Sequence, residues 1–461
     1  MRLKVVRGAY HDGASPGQSA AADRVASRSM SALRSVVLSV FRRVIRLYFR
    51  EIEVVGAPGP EAHGRIFGAN HVNGIVDPLV ILTSVECDVA PVAKSTLWKV
   101  PGLRWLLDVA DAVPVVRKRD DPTMTAGSND DVFDRVAAHL GDGGNILIFP
   151  EGTSHNEAHV VQLKSGAGRM LSRARDKGAK GLSFQAVGLE FDARDEFRSR
   201  ALVVFGPVRL VDDVAKTTDD LPHAITDQLR ADLTELVVEG DSWQDRLLIA
   251  RIAEMLAVES GSTALAEWNA VGRRVEAVHK ALAHERALHD DVRSAVSDYY
   301  ALVDVSGLSD DRVRSGGGPS DTAHPLVLFL LAPLALVATV AYAIPYRIPR
   351  LARLFAKGET DVVSTYKLGM GLLLFPLWAM ALVVASLLLA PAPWSWACAA
   401  ASLVSPFAAL PWLDRLDRSR LRRKKPGKTP SRDELLAARA RALDAIGRAR
   451  AVAEERGAIP A

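Results

Sequence analysis

The chain has 461 residues, 49% of them hydrophobic, and its 58 basic and 54 acidic residues leave a formal charge of only +4. That length allows two or three domains, and so nearly balanced a charge gives no reason to expect a nucleic-acid partner. Two cysteines far apart, Cys87 and Cys398, exclude a disulfide framework and fit a reducing compartment, while the apolar content calls for a search for membrane segments.

Residues 1–30 are rich in Ala, Ser and Gly and lack the apolar core of a secretory signal, so they read as a disordered extension. Residues 31–50, "SALRSVVLSVFRRVIRLYFR", carry a helical pattern. Leu33, Val37, Val40, Phe41, Val44 and Tyr48 line one face; Ser35, Ser39, Arg42, Arg46 and Arg50 line another, and no acidic residue intervenes. This predicts an amphipathic helix at a membrane interface, cations toward anionic headgroups, with a surface helix packed on its own domain as the alternative.

From 51 to 215 the pattern changes to short β-type runs between helical or turn segments: "EIEVVG", "RIFGAN", "VAPVA", "AVPVV", "NILIFP", "FQAVGLEF" and "ALVVFG". Strands alternating with helices predict an α/β layer domain with a mixed, mostly parallel sheet flanked by helices. Chemistry in such folds gathers where strands end. Residues 216–314 read as an α-helical appendage, closed by the flexible "SGGGPS" at 315–320.

Two uncharged stretches follow. Residues 325–346 are interrupted by Pro333 and Pro345, and 368–413, split by "APAPWS", is about twice the ~20 residues one crossing needs. The loop between them holds Arg347, Arg350, Arg353, Lys357 and Lys367, and the tail 414–461 holds "RLDRSRLRRKKPGK". The positive-inside rule places both basic segments in the cytoplasm. Keeping the α/β domain there too requires an even number of crossings. The expectation is therefore a re-entrant or interfacial segment at 325–346, a transmembrane hairpin at 368–413 and a basic cytoplasmic tail.

Within the α/β region "GANHVNGIVDPLVIL" sets His71 and Asp77 in apolar surroundings, where each polar group needs a partner. They are either a satisfied structural pair or a general base with the group that orients it. "VPVVR" (113–117), "FPEGTS" (149–154) and "QAVGLEF" (185–191) follow in order.

Together these four patterns resemble the PlsC-type glycerolipid acyltransferase family over roughly residues 60–210. "AKSTLWKVPGLRWLLDVADAVPVVRKRD" and "LKSGAGRM" are similar to the family's connecting segments. The resemblance implies a membrane-bound enzyme of phospholipid biosynthesis that moves a fatty acyl chain from acyl-CoA or acyl carrier protein to a hydroxyl of a glycerol phosphate. His71 would be the general base and Asp77 the carboxylate that sets its tautomer. Asn70, Arg117 and the turn Glu151, Gly152 and Thr153 would bind substrate, with Glu151 meeting a hydroxyl or pairing with Arg117. Lys94 and Lys164 are further cation candidates. The implied partners are the lipid bilayer, the acyl thioester and the glycerol phosphate. No nucleic acid, metal or organic cofactor is expected, and the implied location is a membrane, bacterial inner membrane favoured, with the catalytic domain on its cytoplasmic face.

The chain departs from the family pattern twice. Five residues, not four, separate His71 from Asp77, and the third motif continues Gly152-Thr153-Ser154-His155 without the usual Arg. The longer spacing and "EFRSRALVVFG" are similar to the branch that acylates glycerol 3-phosphate or dihydroxyacetone phosphate, which favours the first acylation over the second, on lysophosphatidic acid. An inactive membrane-anchored scaffold with a degenerate domain is the alternative from another class. His155 and His159 lack the Glu directly after the first His that a zinc protease uses. His279, His284 and His289 recur every five residues, which does not hold one helical face, and read as ordinary surface or packing histidines.

Overall fold

The computed structural model describes residues 16–116, 130–316, 325–356, 359–417 and 429–457. All seven predicted runs form strands: β1 Glu51–Val55, β2 Arg65–Ala69, β3 Val89–Lys94, β4 Val113–Val115, β5 Asn145–Ile148, β6 Ser183–Phe191 and β7 Arg200–Leu210. They lie in one sheet of order β1-β7-β6-β2-β5-β3-β4. Neighbours are parallel except β6 and β7, which are antiparallel. The central strands β2 and β5 are almost wholly buried, as unbroken apolar runs must be when helices cover both faces.

One face carries Ile66, Ile146 and Phe184, and the other Phe67, Leu147 and Val187. The flanking helices of this domain are α1 Pro16–Tyr48, α2 Val76–Ser84, α3 Leu103–Val109, α4 Asp130–Gly141, α5 Gly166–Asp176, the short α6 Val211–Ala215, and α7 Leu221–Leu236. The α7 stripe Leu221, Ile225, Leu229, Leu233 and Leu236 packs into the sheet core. Gly68 makes the approach possible, since a Cβ there would stand 2.6 Å from a Leu229 methyl. The α/β domain therefore runs through Leu236 and not to the expected boundary at 215. An apolar stripe has the same period whether it meets a sheet or another helix.

The N-terminal helix also departs from expectation. It begins at Pro16, inside the segment read as disordered, and residues 1–15 lie outside the described residues. Ile45, Tyr48 and Phe49 are buried, and two of its cations turn inward: Arg34 donates to the Val89 carbonyl (2.7 Å) and Arg42 to that of Thr83 (3.1 Å). The helix is thus packed on its own domain, and Val36, Val40 and Leu47 stay exposed.

The appendage contains α8 Trp243–Glu259, α9 Leu265–Ala281, α10 Arg286–Ser306 and α11 Asp310–Ser315. Next come the apolar helices α12 Pro325–Ala341, α13 Ala343–Arg347, α14 Ala352–Phe355, α15 Val363–Leu389 and α16 Trp394–Asp417. The chain bends by 72° between Phe329–Ala341 and Ala343–Phe355. Tyr342 Oη donates to the Ser402 carbonyl and Trp378 Nε1 to that of Ala341, each at 2.8 Å, so the apolar helices pack on one another. Their outer faces leave Phe329, Leu336, Leu373, Leu377, Leu388 and Phe407 largely exposed.

The last helix, α17 Arg432–Glu455, corrects the reading of the tail as merely basic. Ser431 and Glu434 form a capping box at its start, and Leu435, Ala438, Ala442 and Ala445 pack into the appendage core beside Val296, Tyr299 and Tyr300. The basic run 418–428 lies outside the described residues. Arg439 grips the fully buried Asp310 through two bonds of 2.8 Å, Tyr299 Oη donates to the same carboxylate at 2.5 Å, and Glu259 also accepts from Arg439. Removing one partner of a buried pair strands the other charge. Arg439→Met is expected to lower stability by about 3–5 kcal/mol in thermal or denaturant unfolding, and Arg439→Met with Asp310→Leu is expected to recover most of that loss.

Candidate active site

The parallel strands β2, β3, β4 and β5 end on the same edge of the sheet, and the polar residues of the motifs stand there. After Ala69 the chain leaves β2, turns through 70–75 and enters α2 with Asp77 in the first helical turn, where the helix dipole favours a negative charge. Asp77 has no solvent exposure. Its Oδ2 accepts from His71 Nδ1 (2.9 Å), Val72 N (2.8 Å) and Asn73 N (2.7 Å). Burial pushes the Asp77 carboxyl up from the ordinary aspartate range, opposed by the His71 ring and by those two N–H groups.

With the Nδ1 proton held by the carboxylate, the basic lone pair of His71 sits on Nε2, which has no hydrogen-bond partner among the described residues. The ring lies on Phe149 with centroids 4.1 Å apart, and its side chain keeps 18% of its exposure. The fifth residue between His and Asp costs the pair nothing in distance. Gly74 absorbs it at φ +53°, and Ile75 N donates to Thr365 Oγ1 at 3.0 Å. A Cβ on Gly74 would stand 2.5 Å from that same hydroxyl, so the loop is fitted against the start of α15.

Asn70 is buried, and both ends of its amide are spent on the backbone of Leu189: Nδ2 donates to the carbonyl (3.0 Å) and Oδ1 accepts from the N–H (2.7 Å). It continues the β2–β6 ladder and aims the next residue, His71, so it acts by positioning and not as the substrate contact expected.

After β5 the chain runs through Phe149 and Pro150 into the Glu151-Gly152-Thr153 turn. Gly152 has φ +79°, and the Lys164 side chain lies across it, 2.3 Å from where a Cβ would be. The turn and Lys164 are therefore brought together, and Lys164 N also donates to the Pro150 carbonyl (2.8 Å). Thr153 is exposed, its hydroxyl bonded only to the neighbouring Ser154 carbonyl (3.2 Å). Half-buried Lys94 closes β3 in register with Val115. Arg117, two residues beyond Val115, lies outside the described residues.

Glu151 is buried and faces the dyad. Its Oε2 accepts from the backbone N–H of His71 at 2.6 Å and lies 3.0 Å from His155 Nε2. This carboxylate supports the His71 backbone, and the expected partnership with Arg117 falls outside what the described residues test. His155 itself was not singled out as a site residue. It lies in an irregular segment, not on a helix with His159; its N–H donates to the His71 carbonyl (3.2 Å), and its Nδ1 accepts from Glu157 N (3.2 Å).

Arg194 was also not anticipated, since it lies three residues past the last motif. It donates to the Val72 carbonyl (3.2 Å) and to Thr360 Oγ1 (2.8 Å) and stacks over Trp243. Burial pulls its guanidinium below the ordinary arginine range. A cavity of about 860 Å³ opens beside Val72, walled by Leu189, Phe191, Arg194, Trp243 and Trp268. That volume is in the range of small-molecule sites.

Comparison with known proteins finds similarity in the same part of the chain. The model of the Acyltransferase family matches residues 51–187. Glycerol-3-phosphate O-acyltransferase 2 of Saccharomyces cerevisiae is 29% identical over 195 residues, 40% of this chain and 26% of that protein. Glycerol-3-phosphate O-acyltransferase 1 of the same yeast is 29% identical over 132 residues, 27% of this chain and 17% of its own length. The chain thus spans about a quarter or less of these two relatives. The crystal structure of the 1-acyl-sn-glycerophosphate (LPA) acyltransferase PlsC from Thermotoga maritima is also similar, at 16% identity and a TM-score of 0.33, covering 44% of this chain and 80% of that one. The family match over residues 51–187 takes in His71, Asp77 and the Glu151 turn, and in that part the chain is similar to the Acyltransferase family.

Proposed function

We propose that the protein is a membrane-seated O-acyltransferase that moves a fatty acyl chain from acyl-CoA or acyl carrier protein to a hydroxyl of a glycerol phosphate, with glycerol 3-phosphate or dihydroxyacetone phosphate favoured over lysophosphatidic acid. The observation that carries this reading is the His71–Asp77 pair: a base whose tautomer is set by a solvent-free carboxylate and whose Nε2 is open. The acceptor hydroxyl gives its proton to Nε2 as its oxygen attacks the thioester carbonyl. The C–O bond forms, the C–S bond breaks, and the departing thiolate takes the proton from the imidazolium. No enzyme nucleophile is needed.

The acceptor phosphate is assigned to the Gly152-Thr153 turn, with Lys164 across the glycine, Lys94 at the end of β3, and Arg117 following β4. Arg194 adds a fixed positive charge beside the loop. The intact dyad argues against a degenerate scaffold, and the acceptor preference rests on the yeast relatives' printed activity.

The apolar helices are read as the membrane anchor. The helix Thr360–Leu389 is long and apolar enough to cross, and the bent pair Phe329–Ala341 with Ala343–Phe355 has the shape of a re-entrant segment. α17 packs against α10, so the chain must return to the side it left, and the crossings between 316 and 431 are even in number. Two crossings satisfy this, with α15 as one and the shorter apolar helix Trp394–Leu410 within α16 as the other. Ser364 and Thr365 at the start of α15 bond to Arg194 and Ile75, so the same anchor seats the active-site loop at headgroup level, on the cytoplasmic face of a bacterial inner membrane.

His71→Ala is expected to abolish acyl transfer in purified membranes. Asp77→Asn is expected to cut kcat by roughly 10³–10⁴ while leaving the acceptor KM nearly unchanged, as for other His–carboxylate pairs that lose their tautomer control. A panel of glycerol 3-phosphate, dihydroxyacetone phosphate and lysophosphatidic acid should show the highest kcat/KM on one of the first two; clear preference for lysophosphatidic acid would overturn the acceptor assignment. With Cys87 and Cys398 replaced by serine, Ala392→Cys between α15 and α16 is expected to react with an impermeant thiol reagent from outside intact cells, and Thr429→Cys only after permeabilisation. Labelling of both from one side would refute the hairpin.

A further inference from the structure

His279 and His289 belong to no single helical face, yet they meet. α9 ends at Ala281, four residues turn the chain, and α10 starts at Arg286, so the last turn of one helix faces the first turn of the next. His279 Nδ1 and His289 Nε2 stand 3.3 Å apart, with ring planes tilted by 57°. The Asp245 carboxylate, in the first turn of α8, offers an oxygen that lies with a nitrogen of each ring in a group of three ligand atoms all within 4.8 Å of one another, and all three residues are half-buried. The break between α9 and α10 is what the reading of these histidines as unrelated packing residues lacked.

We propose that Asp245, His279 and His289 form a structural zinc site that ties α8, α9 and α10 together, with water or a further neighbour completing the shell. A Zn–N bond of about 2.05 Å at the tetrahedral angle sets two imidazole nitrogens about 3.3 Å apart, which is the separation observed. Two cationic rings could not sit so close, so neutral imidazoles, the form that ligates, suit the geometry.

The surroundings supply what such a site needs. Asp245 Oδ1 accepts from Arg293 (2.7 Å) and Oδ2 from Ser242 Oγ (2.5 Å); each oxygen has a second lone pair, and these bonds hold the carboxylate in place as outer neighbours of a metal ligand do. Asp290 stands 4.0 Å from His289 Nδ1, and Asp241 is the other carboxylate acting on His279. The three ligands come from three helices, so the ion would act on the packing of the appendage and not on the acyl-transfer chemistry.

The test uses the full chain in detergent, stripped with a chelator and titrated with Zn²⁺. Expected are one zinc per chain after dialysis and a Tm rise of about 5 °C or more at saturating metal. His279→Ala and His289→Ala should weaken zinc binding by more than about 100-fold and Asp290→Asn by about 10-fold, since losing a ligand exceeds losing an outer neighbour. His71→Ala and the His155→Ala/His159→Ala double variant should retain it. Because an alanine variant could misfold, Co²⁺ added to the unmutated protein gives a second readout: the visible bands of a four-coordinate cobalt site are expected, lost in His289→Gln. Zinc content and Tm that do not differ between the unmutated protein and the His279→Ala/His289→Ala double variant would overturn the proposal and leave the contact as an imidazole–imidazole hydrogen bond. Zinc lost on substitution of His155 and His159 would overturn it too.

Discussion

Asp77 is a carboxylate with no access to water, and much of this sheet edge is arranged to make that tolerable. Three N–H donors converge on one of its oxygens, and two of them come from the backbone of the loop that carries its partner, His71. An unpaired buried charge would be expelled or protonated, so the loop must close around the carboxylate to exist in this form. In closing, it sets the imidazole tautomer and leaves Nε2 open. Satisfying the buried charge and orienting the imidazole are one act of folding.

The closed loop is held from three directions. Asn70 knits the end of β2 to β6, Glu151 takes the His71 backbone N–H, and Arg194 takes the Val72 carbonyl. Each comes from a different strand end or loop of the sheet, which is how an α/β edge gathers distant parts of a sequence into one place. The fourth support is outside the sheet: Thr365, in the first turn of the long apolar helix, bonds the backbone of Ile75. The His71 loop and the long apolar helix therefore share a hydrogen bond, so the position of one constrains the other.

The appendage connects the two ends of the chain in a similar way. Trp243 at the start of α8 stacks with Arg194 and Arg246, while Arg439 from the final helix closes on Asp310 and Glu259. Helices α8, α10, α11 and α17 are thus cemented around charged groups as well as a hydrophobic cluster. A buried ion pair adds little net stability but penalises any packing that separates its members, and here it fastens the C-terminal helix to the appendage.

Much of this was legible in the residues alone. The seven strands, the helical appendage, the apolar helices and the His71–Asp77 pair follow from hydrophobic period, turn residues and motif order, all of which are local properties. What could not be read there is non-local. The Leu221–Leu236 stripe has one period whether it meets a sheet or a helix, so its place on the sheet depended on Gly68 and the space it leaves. Arg34 and Arg42 look like solvent-facing cations until the carbonyls of Val89 and Thr83 are brought beneath them. Asn70, Glu151, His155 and Arg194 meet backbone groups about 80 to 120 positions away. Sequence by itself determined the secondary structure, the dyad and the apolar segments, because each is encoded in a short window. Tertiary structure alone decided which buried polar groups face one another, because a hydrogen bond requires two partners at about 3 Å and a chain says nothing of that distance until it folds.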